Sequence, residues 1–111
     1  MLTEQPILIT SIKCAVVSVA VKNRFISFTG AYCAAGSKSL GVSNADTNQN
    51  EMIPVTAKGI ALVQSADSIA LGRALQATTD GKAITQDAGP LEGYALDEAL
   101  SADQLIRILL V

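Results

Sequence analysis

The 111-residue chain has no histidine and no tryptophan, and its aromatic content is two phenylalanines and two tyrosines. The missing histidine removes the commonest general base and a frequent metal ligand in one step. Cysteine is scarce as well. Cys14 and Cys33 stand far apart with no Cys-x-x-Cys spacing, so no zinc site is indicated. A cysteine nucleophile would need an activating base, and none lies near either thiol in sequence. Neither Gly-x-x-x-x-Gly-Lys nor Gly-x-Gly-x-x-Gly occurs, so no phosphate cradle is signalled.

Charge is also in short supply: 16% of residues against roughly 25% in ordinary soluble domains, with a net charge of −2. Lys and Arg form no run, and no basic cluster surrounds Phe25, Phe28, Tyr32 or Tyr94. The electrostatic footprint of a nucleic-acid partner is therefore absent. Among the carboxylates, Asp97-Glu98 is the one adjacent pair and reads as a solvated strand end or turn. Asp80 and Asp87 sit beside Gly or Ala, where turn chemistry accounts for them. Asn44, Asp46, Asn48 and Asn50 alternate faintly like a calcium loop, but the central Gly and the bidentate Glu are missing. The expectation is a protein that is not an enzyme and uses neither metal nor cofactor.

No apolar run is long. The stretch Cys14 to Val21, closed by Lys13 and Lys22, falls far short of the roughly 20 residues a membrane-spanning helix needs. It is poorly placed for a signal sequence, because Glu4 precedes it and no basic residue comes before Lys13. It reads as a buried strand, and the two cysteines read as small buried hydrophobes in a reducing compartment. No membrane partner is expected.

What the chain does have is small aliphatic side chains. Half of it is hydrophobic, supplied by Ala, Val, Ile and Leu. Branched side chains of this kind favour pleated surfaces, and a surface low in charge and rich in Ala suggests that a partner covers part of it. Short apolar segments follow one another, broken by turn residues. They run over Ile7–Ile12, Arg24–Phe28, Leu40–Val42, Glu51–Thr56, Ile60–Val63, Gly72–Gln76, Ala83–Thr85, Leu91–Leu96 and Gln104–Val111. Thr29-Gly30 and Asp80-Gly81 mark turns, Ala34–Lys38 is a small-residue loop, and Ser43–Asn50 a polar loop. Pro54 within its segment argues for an edge strand or a bulge. Leu96–Leu110 and Ser65–Ala77 also admit helical spacing, but β-branched residues near the end of the first and Gly72 within the second favour strands. The expected fold is all-β, a small β-sandwich or β-barrel in one domain over residues 13–111.

The two halves match in order. Arg24 aligns with Arg73, Gly30 with Gly81, Gly41 with Gly93, and Glu51-Met52-Ile53 with Gln104-Leu105-Ile106. The offset drifts through 49, 51, 52 and 53, as small turn insertions would produce. Two related units, 22–57 and 69–111, are expected on this ground. Residues 1–12 precede them and read either as an extended arm or as an ordinary first strand. Pro6 would hold its start extended, and Ile7, Leu8, Ile9 and Ile12 would offer apolar contact surface with main-chain groups free to pair. Pro6, Ile7, Leu8 and Ile9 are the candidate partner-binding residues, with Met1 to Gln5 the part expected to project.

The order Gln5-Pro6-Ile7-Leu8, Asn23-Arg24-Phe25, Ala34-Ala35-Gly36, Lys38-Ser39-Leu40-Gly41-Val42, Ile53-Pro54-Val55 and Gly59-Ile60-Ala61-Leu62-Val63 carries a resemblance. So does the end, Gly93-Tyr94-Ala95-Leu96-Asp97-Glu98-Ala99 through Leu105-Ile106-Arg107-Ile108-Leu109-Leu110. Together these segments resemble the capsid cement or decoration proteins of tailed phages, of the DUF2190-like type. Before the last strand the family often has a Gly-Asp turn, where this chain has Ser101-Ala102-Asp103. The resemblance implies a β-rich virion protein that binds the outside of the head. Its partners would be the major capsid protein and itself, commonly as a homotrimer, after synthesis in the host cytoplasm. It transfers no catalytic residue. Two other readings stand beside it: a tail or head–tail joining protein, and an intracellular β-barrel carrier or small-ligand module with Lys82 on a hairpin tip.

Overall fold

Residues 4–17, 19–33 and 36–111 are described by a computed structural model. Their strands are β1 (Gln5–Lys13), β2 (Val19–Ala20), β3 (Phe25–Ile26), β4 (Gly41–Ser43), β5 (Thr47–Asn48), β6 (Met52–Gln64), β7 (Ala74–Ala77), β8 (Ala83–Thr85), β9 (Gly93–Ala95) and β10 (Leu105–Leu110). The described residues contain no helix, so the all-β reading is correct and the helical alternatives for 65–77 and 96–110 fall away. The first three residues of the proposed projecting lead, Ser18 of the apolar stretch, and Ala34 and Ala35 of the small-residue loop lie outside the described residues.

Eight strands form one antiparallel sheet in the order β3-β4-β6-β10-β9-β7-β8, with β1 added to β6; β2 and β5 pair separately. The long strand β6 organises this sheet. Val55 pairs with Thr10 of β1 and with Ser43 of β4, while Ile60 pairs with Gln5 of β1 and with Leu109 of β10. A residue has only two strand edges, so β1 occupies one edge of β6, and β4 and β10 share the other.

Pro54 lies inside this doubly paired strand, which corrects the expectation of an edge. The reason is local. The Pro54 carbonyl accepts the Asn44 N–H at 2.9 Å, one residue past the end of β4, and the missing Pro54 N–H faces the same way. The lost donor therefore falls just beyond the ladder. The polar loop Ser43–Asn50 is likewise more ordered than expected, because it contains β5. Cys14 to Val21 is not a buried strand. Cys14 and Ala20 are buried, but Val17, Val19 and Val21 are exposed, and among the described residues of the stretch only Val19–Ala20 is strand-paired. The stretch is too near the surface to use every apolar side chain.

The second half reuses the pairing of the first. Phe25↔Val42 and Ile26↔Gly41 join β3 to β4, and Ala74↔Tyr94 and Leu75↔Gly93 join β7 to β9. Val42↔Thr56 and Ser43↔Val55 correspond to Tyr94↔Leu109 and Ala95↔Ile108. Ile12↔Ile53 corresponds to Val63↔Ile106, and Ala20↔Thr47 to the bridge Ile69↔Ala99. Asn23 and Gly72 both have positive φ and donate to Ser43 and Ala95 carbonyls respectively. Gly41 and Gly93 are needed for one shared reason: a Cβ on either would strike the carbonyl of Thr56 or of Leu109 on the neighbouring strand. The correspondence begins earlier than residue 22, because β1 stands to the first half of β6 as the second half of β6 stands to β10. One strand thus closes the first unit and opens the second.

Two cores result. Cys14, Ala20, Ile26, Ile53 and Val55 fill the first unit. Their counterparts Ile69, Leu75, Ile106 and Ile108 fill the second, where Phe25, Cys33 and Val42 of the first unit join them. The first unit therefore lends one face of its β3 and β4 to the core of the second.

Candidate interaction surfaces

The junction between the units holds a buried carboxylate. Glu92 is fully buried and stands at the place that Leu40 holds in the first unit, since both N–H groups donate to the preceding strand, Leu40 to Ile26 and Glu92 to Leu75. Its Oε2 accepts the Ser39 N–H at 2.9 Å, and its Oε1 accepts the Ser39 hydroxyl at 2.8 Å and lies 3.0 Å from Lys38 Nζ. Cys33 Sγ is 3.9 Å from Oε2. Three hydrogen-bonded partners and a cation make this charge tolerable away from water. Sequence reasoning missed Glu92. The available signal was a lone acid inside Leu91–Leu96, a segment read as a strand.

Burial, followed by the Glu92 charge, pushes the Cys33 thiol from 9.0 up to about 11. A thiol held protonated is a poor nucleophile at neutral pH, and the cluster clamps Lys38 and Ser39 of the first unit to Glu92 of the second. Cys14 sits in the other core, and the two cysteines form no disulfide with each other. The raised value has a consequence for stability. Above pH 9 the unfolded chain releases the Cys33 proton while the folded chain keeps it, so the contribution is full below pH 9 and lost as pH rises towards 11. Denaturant titrations across that interval should show a fall of roughly 2–3 kcal/mol that Cys33→Ala lacks. Equal slopes in the two proteins would refute it.

Two further ion pairs tie separate segments together. Lys82, the candidate carrier lysine, pairs with Asp103 at 2.6 Å and its side chain is only 22% exposed. A carrier lysine needs a free tip, and this one is held down. Arg107 and Asp97 form a two-pronged pair at 2.9 and 3.0 Å, and those hydrogen bonds hold the Asp97 carboxyl below its ordinary value. Asp97 also accepts the Arg107 backbone N–H at 3.0 Å, the very donor that Pro54 lacks in the first unit. No group of three or more His, Cys, Asp or Glu that could hold a metal occurs among the described residues.

Two surfaces gather neighbouring exposed apolar side chains. One is the start of β1, where Ile7 is 84% exposed, Leu8 50% and Ile9 47%, beside Pro6. Here β1 pairs with β6 through two register shifts, and Pro6 lies opposite Gly59, whose φ is +98°. The other edge of β1 has no strand partner among the described residues. The second surface is the outer face of β6, β10 and β9. Ile60, Leu109 and Tyr94 form one cross-strand row on it, and Leu105 and Val111 extend it.

Residues 9–110 match the family described as phage cement protein. The chain belongs to that family. The cement protein is a structural protein of the phage head, and its place is the virion capsid. No curated protein matches it in sequence. In fold it is similar to the N base of head fiber gp8.5 of bacteriophage phi29, at a TM-score of 0.76 with 18% identity, over 94% of this chain and 95% of that one. At that identity the likeness speaks for the fold.

Proposed function

We propose that this cement protein binds the outer surface of the assembled head and stabilises contacts between neighbouring major capsid subunits. It performs no reaction, takes neither nucleic acid nor membrane as a partner, and works as a homotrimer after synthesis in the host cytoplasm. The observation that carries the reading is the start of β1. Pro6, Ile7, Leu8 and Ile9 form an apolar, solvent-facing strand end with an open edge, on a protein otherwise poor in exposed charge. A partner strand can add to such an edge, with main-chain hydrogen bonds supplying affinity and alternate side chains supplying register. Many copies on one lattice then sum modest contacts across the shell.

The double substitution Ile7→Glu and Leu8→Glu tests this. Both side chains face solvent, so the melting temperature of the free protein should hardly move. Attachment to heads lacking the protein, read by co-sedimentation, should weaken by about 30-fold, the loss expected for one buried hot spot. Full attachment by the well-folded variant would remove the β1 edge from the capsid contact.

A further inference from the structure

The two units differ in what covers one particular face. In the first unit, Phe25, Val42 and Thr56 form a cross-strand row on β3, β4 and β6. All three are buried, at 0%, 1% and 1% exposure, and Phe25 and Val42 pack into the core of the second unit with Ala77, Ala83, Ile106 and Ile108. The turn Thr78–Lys82 also closes on Phe25, whose N–H donates to the Gly81 carbonyl at 2.7 Å. In the second unit the same row is Ala74, Tyr94 and Leu109. Tyr94 is 40% exposed and Leu109 43%. The row keeps its register, and its two large side chains stand exposed.

The units are therefore stacked head to tail, not paired about a closed two-fold axis. A closed pair would have buried both rows in each other. The turn that covers the first row has a counterpart, because Ser27 and Gly30 are bonded to each other as Thr78 and Gly81 are. That earlier turn, Ser27–Ala31, carries Phe28, which is 66% exposed.

We infer that the outer face of β6, β10 and β9, centred on Tyr94 and Leu109, binds a second copy of this chain through its Phe28 turn, continuing between molecules the stacking that joins the units within one. The inference deepens the self-association proposed above by naming both halves of the contact, and it does not depend on attachment to the capsid. The occupant is a second copy because the chain itself already covers the equivalent row with its own fold. Arg107 and Asp97 on this face neutralise each other as an ion pair at 2.9 Å. A heterologous contact of this kind uses two different patches, so it yields a closed ring when the rotation divides evenly.

The two patches allow a decisive mixing experiment. Light scattering on the intact protein should show an assembly that both Leu109→Glu and Phe28→Ser reduce to the 11.5 kDa monomer. Each variant keeps one sound patch, so an equimolar mixture should form a one-to-one dimer and stop there. A monomeric wild type, an assembly that survives either substitution, or a mixture that stays monomeric overturns the inference. Co-sedimentation with heads reads the capsid proposal separately: a wild type that assembles but does not attach overturns that proposal and leaves this one standing.

Discussion

Glu92→Ala is expected to destabilise the isolated protein by about 3–5 kcal/mol, the range for stripping one partner from a buried, hydrogen-bonded charge cluster. The loss has identifiable parts. Ser39 would keep a buried N–H and a buried hydroxyl with no acceptor, because both now bond to Glu92 and Ser39 itself is buried. Lys38 contributes less, since its side chain is 43% exposed and can turn to water. The comparison position sharpens the expectation. Leu40 shows that the fold accepts an apolar side chain there when no polar partner faces it. Glu92→Leu combined with Ser39→Ala should therefore recover a large part of the loss, while Glu92→Leu alone should not. Denaturant unfolding reads both as midpoint shifts at unchanged slope. A cost below 1 kcal/mol for Glu92→Ala would show that the clamp contributes nothing to holding the units together.

How far the sequence discloses this architecture depends on where each signal resides. Turn-broken segments such as Gly72–Gln76 and Gln104–Val111 declare strands because their period and punctuation are local. The glycines at 41 and 93 are legible as a matched pair, and the structure supplies the cause, a neighbouring carbonyl that leaves no room for a Cβ. Pro54 misleads because the rule about prolines and edges assumes that a neighbour strand continues past it, and β4 stops one residue short. The Cys14–Val21 stretch misleads because hydrophobicity alone does not say which face is buried: Val17, Val19 and Val21 are exposed while Cys14, Val16 and Ala20 pack into the core. Glu92 is invisible for a different reason. Its partners stand more than fifty positions away, and a single acid in an apolar segment carries no spacing from which to infer them. The β1 patch is legible as composition, since Ile7, Leu8 and Ile9 are consecutive. Its exposure follows from β1 lying at an outer edge of the sheet, which only the topology reveals.

Phe25→Ala should cost about 3–5 kcal/mol, as for other fully buried aromatic side chains, and should lower the stability of both halves together. Phe25 belongs by sequence to the first unit and by packing to the second, where it is one of the cluster containing Leu75, Ile106 and Ile108. Its backbone is engaged from both sides: the N–H donates to Gly81 and the carbonyl accepts the Cys33 N–H at 2.9 Å. Above it, Arg24 reaches across to the Gln64 side chain at 3.0 Å and to the Asp80 carbonyl at 3.2 Å. Truncation leaves a cavity that this rigid frame cannot close, because three strands and a turn fix its walls. The shared strand decides the rest. Unfolding the first unit alone would strip β1 and β4 from β6 and expose the Phe25 side of the second core, and unfolding the second alone would uncover Val42 and Phe25. Calorimetry should therefore show one transition, with equal calorimetric and van't Hoff enthalpies, in the wild type and in Phe25→Ala alike. Ile26→Ala, confined to the core of the first unit, should move that same single transition and not split it. Two resolved transitions in either variant would mean that the units fold independently and that the strand they share does not couple them.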